Sequence, residues 1–112
     1  MDLEKMRDTK SLNDEERMIV DRLSNVIDPE LGVDLINLGL IYRADLTGEG
    51  ILKILLTLTT PMCPMADVIV DELNGTFEDV PQVNNVEVTI TFDPPWSLDK
   101  LSRYAKIALG VM

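Results

Sequence analysis

The chain has a single cysteine, Cys63, set between two prolines in Thr59-Thr60-Pro61-Met62-Cys63-Pro64, where an apolar run hands over to a helical pattern. A residue before proline is pushed out of the helical region, and proline suits the first helical position, so the spacing predicts Cys63 at a helix N-cap. There the partial positive charge of the helix end and its unpaired N–H groups favour a thiolate, the reactive and metal-binding form of the side chain. The competing reading is a small buried core residue, the usual fate of a lone cysteine.

Counting ligands narrows what such a thiol could do. An iron–sulfur cluster takes about four protein ligands, typically thiolates, and this chain offers one thiol and no histidine. A monomer is therefore not expected to hold a stable cluster with thiolates alone. A homodimer that juxtaposes two copies of Cys63 could bind one labile cluster with help from carboxylates or an outside thiol, which suits transfer better than storage. The lack of histidine also removes Ser-His and Cys-His catalytic pairs and His-ligated zinc.

Other residues could join the thiol. Asp28 and Glu30 flank Pro29, which sets them apart from carboxylates on solvated helix faces, although an aspartate before proline often caps a turn through its own backbone. Thr59 and Thr60 either end a strand or donate hydrogen bonds to a thiolate or bound sulfide. Asp93 and Trp96, in Asp93-Pro94-Pro95-Trp96, would lie near Cys63 if the strands before the two loops are parallel, because both loops then leave one end of the sheet. The competing reading leaves the prolines as terminators and Trp96 in the core.

The elements that must position these groups are legible from periodicity. Residues 1–12 lack it and are expected to be a loosely held lead-in without a site, followed by a single domain over 13–112. Asn13 with Glu16 is a capping-box pattern opening a helix over about 14–27, carrying Ile19, Leu23 and Val26. Residues 38–46 and 51–60 read as a hairpin about Thr47-Gly48-Glu49-Gly50, the second strand apolar on one face and mixed on the other. One face must then be covered by helices. A helix over 64–77 carries Ala66, Ile69, Val70, Leu73 and Phe77 on one stripe, and Val86, Val88, Ile90 and Phe92 alternate with polar residues in a third strand. Ser97 is expected to cap a last helix that stops at Gly110. The class is α+β: a two-layer α-β-β-α-β-α domain, a three-stranded sheet with helices packed on one face.

Composition bounds the partners. Twenty acidic against ten basic side chains give a net charge of −10, which opposes phosphate backbones and anionic lipid, so neither nucleic acid nor membrane is expected as a partner. One cysteine forms no internal disulfide, the start lacks a secretion-signal layout, and no apolar run approaches the ~20 residues of a membrane span. These features read as a cytoplasmic protein. A chain of 112 residues keeps much of its surface wet, and a homo-oligomer would help it.

Four segments together, Asp28-Pro29-Glu30-Leu31-Gly32, Asn37-Leu38-Gly39-Leu40-Ile41-Tyr42, Leu58-Thr59-Thr60-Pro61-Met62-Cys63-Pro64 and Asp93-Pro94-Pro95-Trp96, resemble the MIP18 family, formerly a domain of unknown function numbered 59. The resemblance spans roughly residues 14–112, and the ending Trp96 to Gly110 is most similar to the bacterial SufT branch. What it implies is an auxiliary, non-enzymatic role in maturing iron–sulfur proteins. The family's reactive cysteine falls on Cys63 and its acidic motif on Asp28 and Glu30. The cofactor implied is iron or a transient iron–sulfur cluster, none tightly bound, and the partners are scaffold or carrier proteins and client apoproteins. A branch similar to PaaD, which serves assembly of a ring-oxidising enzyme, often carries extra C-terminal cysteines that this sequence lacks. The rival classes are a thiol enzyme or redox sensor, disfavoured by the lack of a resolving cysteine or histidine, and an adaptor that grips clients without metal.

Overall fold

The computed structural model describes residues 1–29, 31–59 and 66–110. Its centre is a three-stranded sheet in the order β1-β2-β3, with β1 over Ile41–Leu46, β2 over Ile51–Leu56 and β3 over Asn85–Ile90. The alternation in the sequence sorts the two faces. Leu52, Ile54 and Leu56 of β2 are buried with Ile41 and Ala44 of β1, while Arg43, Lys53, Glu87 and Thr89 face solvent. Strands β1 and β2 form the expected antiparallel hairpin, with a bulge at Tyr42. Strand β3 lies parallel to β2 in the register Leu52↔Val86, Ile54↔Val88, Leu56↔Ile90.

Helix α2 (Asp14–Leu23) opens with the predicted capping box: Asn13 Oδ1 accepts from the Glu16 N–H at 2.8 Å, and Glu16 Oε1 accepts from the Asn13 N–H at 3.1 Å. It ends earlier than the expected 27, because residues 26–28 turn away to make an isolated bridge between Ile27 and Asp34. Helix α4 (Ala66–Thr76) makes the crossover from β2 to β3, and its Ile69 and Leu73, with Phe77 just beyond, enter the same core as Ile19, Val20 and Leu23 of α2. The α+β class read from the sequence is the one observed.

Three local expectations are corrected. Residues 1–12 are not a loose lead-in. Met1 and Asp2 run beside β1, where the Ala44 N–H donates to the Met1 carbonyl at 3.0 Å. Helix α1 (Leu3–Arg7) follows, with Met6 only 1% exposed. Five residues are too few to show periodicity; burial of Met6, the Asp2 cap that accepts from the Lys5 N–H, and the tertiary hydrogen bonds of Arg7 hold this helix. Second, the strand expected from 38 begins at Ile41, because Asp34 caps a four-residue helix, α3 (Leu35–Leu38). Third, Ser97 makes no cap hydrogen bond and precedes a 3₁₀ turn over Leu98–Lys100, whereas Ser102 caps α5 (Arg103–Leu109) by accepting from the Ala105 N–H at 3.1 Å. Leu101, extended between the two turns, is buried at 4% exposure.

Ser102 also donates to Asn37 Oδ1 at 2.6 Å. Replacing it with alanine removes a cap and a half-buried donor together, an expected loss of about 1–3 kcal/mol by urea unfolding, whereas Ser97→Ala is expected to stay within about 0.5 kcal/mol. Equal effects of the two substitutions would contradict the assignment of the cap.

Candidate functional site

Because β2 and β3 are parallel, the chain leaves both at the same end of the sheet. The antiparallel β1 starts at that end, and the Thr57 N–H donates to the Leu40 carbonyl at 2.8 Å to close it. Four segments therefore converge here: α3 with its Gly39-Leu40 exit, Thr57 to Thr59 after β2, Thr91 onwards after β3, and the 28–34 loop that feeds α3. Of the residues singled out in the sequence, Cys63, Thr60 and Glu30 lie outside the described residues. Asp28, Thr59, Asp93 and Trp96 are described.

Asp28 is buried, 6% exposed, and its carboxylate accepts from the Leu31 N–H at 3.1 Å. Its main chain is engaged as well: the Asp28 N–H donates to Val33 and its carbonyl accepts from the Gly32 N–H at 2.8 Å. Gly32, at φ 71°, completes this closed loop. The aspartate before proline thus shapes a turn, which is the plainer of its two sequence readings. The loop leaves Ile27 and Leu31 more than a third exposed beside it.

The segment after β3 crosses the sheet end toward β1. The Tyr42 hydroxyl donates to the Pro94 carbonyl at 2.8 Å, and Lys100 Nζ sits 5.0 Å over the Tyr42 ring. Trp96 packs partly buried against the core while its indole N–H donates to the Leu38 carbonyl at 2.7 Å. Trp96 is therefore a structural residue of this end, and Asp93 stays exposed. Burial pushes the Tyr42 phenol above its ordinary value, with the neighbouring Thr57 hydroxyl pulling the other way. Thr57 is wholly buried, yet its Oγ1 closes no hydrogen bond of ordinary geometry.

Two groups that organise this end were not singled out in the sequence. Asp34, 8% exposed, accepts from the Asn37 N–H at 3.1 Å and from its side-chain amide at 2.6 Å, so Asp34, Asn37 and Ser102 form one hydrogen-bonded relay from α3 to α5. Arg7 Nη2 donates to the carbonyls of Ile36 at 2.9 Å, Asn37 at 3.1 Å and Lys100 at 2.6 Å. Burial lowers the Arg7 guanidinium from its usual value and Asp34 opposes that shift. An aspartate three residues before an asparagine was the available clue for the first; nothing local announces the second.

Among the described residues no three His, Cys, Asp or Glu side chains gather closely enough to hold a metal ion.

The model of a family described as "Iron-sulfur cluster assembly protein" matches residues 16–90. The chain belongs to that iron–sulfur cluster assembly family. Within it, the chain is 52% identical over 93 residues to the Fe-S protein maturation auxiliary factor YitW of Bacillus subtilis, covering 83% of this chain and 91% of that protein. It is 48% identical over 86 residues to the auxiliary factor SufT of Staphylococcus aureus, covering 77% of this chain and 98% of the other. A solved domain of unknown function, DUF59, from Bacillus anthracis is 43% identical with a TM-score of 0.80, covering 88% of this chain and 92% of that one. The matched residues 16–90 run from helix α2 through strand β3.

Proposed function

We propose that this chain is an auxiliary factor in iron–sulfur protein maturation, in which the Cys63 thiolate contacts iron, sulfide or a labile cluster on its way to client apoproteins. The observation that carries the reading is likeness over nearly the full length of two bacterial proteins named as maturation auxiliary factors. The parallel β2–β3 pair supports it, since it gathers the flanks of the Cys63 segment and the Asp93 segment at one end of the sheet. One thiol and no histidine make the contact weak by arithmetic, so the cluster is cargo whose other ligands come from another chain. Glu30 and Thr60 are the assisting groups, one a hard oxygen ligand for iron and the other a hydroxyl donor to sulfide or thiolate. Asp28 acts through the loop it closes. The role is that of a carrier or assistant in the cytoplasm, without turnover of a substrate; no helix among the described residues is long and apolar enough to cross a membrane.

The test is anaerobic reconstitution with ferrous iron and sulfide, read by visible absorption and iron counting on the native protein and on Cys63→Ser. The native protein is expected to acquire substoichiometric, chelator-sensitive iron with charge-transfer absorption, and the variant to lose most of it. Equal iron in both removes Cys63 as a ligand. A native protein that takes up no iron yet restores client activity in cells replaces this reading with that of a metal-free adaptor.

A further inference from the structure

Helix α5 turns about Ala105, its buried residue. At about 100° per residue, Arg103 and Ile107 share the row opposite Ala105, with Tyr104 on one flank and Lys106 on the other. Tyr104 at 62% and Ile107 at 61% are the most exposed large apolar side chains among the described residues, and Arg103 is exposed beside them. The outer face is therefore half apolar and half basic. Among the described helices only α5 carries cations without a carboxylate, in a chain whose net charge is −10. Most cations elsewhere are engaged: Lys5 with Glu16, Arg22 with Asp79, Arg43 with Asp45, Arg7 on three carbonyls and Lys100 over the Tyr42 ring. Arg103 and Lys106 enter no ion pair among the described residues. Arg103 moreover holds the first helical position, where the helix dipole disfavours a cation, and its neighbour one turn on is the like-charged Lys106. Both placements weaken the helix that carries them, and no carboxylate of the described chain offsets them.

We propose that the outer face of α5 docks a partner protein through a short segment that sets carboxylates against Arg103 and Lys106 and apolar side chains against Tyr104 and Ile107. Charge selects this occupant. The two unpaired cations call for anions, and the apolar half of the face calls for side chains that cover a tyrosine and an isoleucine. A phosphate polymer or an anionic bilayer extends well beyond two cations and meets the acidic surface around them, whereas a short segment needs this face alone. A carboxylate placed at Arg103 also removes the repulsion at the helix start. The inference rests on the reading of the chain as a maturation factor, which gives the docked protein its role. Helix α5 is fastened to α3 by the Ser102 bond to Asn37 and by the Lys100 carbonyl, which accepts from Arg7 as Ile36 and Asn37 do. A protein held on α5 is thereby held to the end of the sheet at which β2 gives way to the Cys63 segment.

The probe is an acetylated, amidated peptide of glutamates and leucines at helical spacing, with its lysine-for-glutamate counterpart as the control. Titrated into the isotope-labelled full chain, the acidic peptide is expected to shift the amide resonances of residues 102–109 with half-saturation at or below about 1 mM, and the lysine peptide to leave them in place. Roughly 0.5 M salt should weaken the binding several-fold. Arg103→Glu separates docking from folding: a carboxylate at the first helical position should hold or slightly raise the melting temperature, while affinity for the acidic peptide falls about 10-fold or more. Tyr104→Ala is expected to lower affinity roughly 5- to 30-fold with the circular dichroism unchanged.

In cells lacking the chain, both variants are expected to restore client enzyme activity poorly, while the purified variants keep the Cys63-dependent iron uptake of the native protein. That split tells the two readings apart, because a native protein without iron uptake defeats the role of Cys63 and leaves the peptide titration as it stands. The docking surface is overturned by amide shifts that do not prefer the acidic peptide, by an affinity that Arg103→Glu leaves unchanged, or by full restoration of client activity with both variants. Vesicles of phosphatidylglycerol that shift the same amides where the acidic peptide does not would overturn it as well, and assign the face to a membrane.

Discussion

Gly39→Ala is expected to lower the melting temperature by roughly 10–25 °C, the largest effect of any small substitution at the candidate site. Gly39 ends α3 in the left-handed region at φ 75°, with its N–H donating to Ile36 and the Leu40 N–H donating to Leu35, a Schellman closure. A methyl group adds about 1–3 kcal/mol of backbone strain there. It would also run into the Lys100 main chain, whose carbonyl oxygen and carbon lie where the Cβ must go. Backbone on both sides leaves little to give, and overpacking of that kind costs about 1–3 kcal/mol more. Gly32 separates the two contributions: it has φ 71° with nothing within 4 Å of the place a methyl group would take, so Gly32→Ala should show the strain alone. Equal melting shifts for the two variants would mean that the Lys100 segment does not sit on Gly39.

The second large effect concerns Arg7. Arg7→Met is expected to reduce unfolding free energy by about 3–5 kcal/mol, because three main-chain carbonyls lose a charged donor at once. Arg7→Lys should recover part of this, since an ammonium can still donate to one or two of them and removes the guanidinium Nε, which is buried without a partner. Urea unfolding with a constant m-value would measure both. A loss below about 1 kcal/mol for the methionine variant would return residues 1–7 to the status of a dispensable lead-in.

How far the sequence carries is clearest in those two residues. Strand β3 was legible from strict alternation of Val86, Val88 and Ile90, and α2 from Asn13 with Glu16, because both signals are local. The parallel crossover followed from the spacing of strand, helix and strand, and with it the gathering of two loops at one sheet end. Arg7 was invisible because its partners are carbonyls 29, 30 and 93 residues away. Helix α3 was not read because a four-residue run with three apolar side chains serves a strand as well as a helix, and the decision rests on Asp34 capping from outside the run. The exposure of Ile90 and Phe92 could not be read either: periodicity assigns a face to a side chain but not the extent of the cover above it.

Helix α3 is held from three sides: by Arg7 from the start of the chain, by Ser102 through Asn37, and by the Lys100 backbone pressed on Gly39. A four-residue helix has no stability of its own, so it waits for segments that lie far from it in the sequence on both sides. On the ribosome, the hairpin and the α4 crossover can form while α3 still lacks its fastening, and a nascent chain presents this end of the sheet open until residues 98–105 have left the exit tunnel. The same late fastening thus closes the place where the candidate site is built.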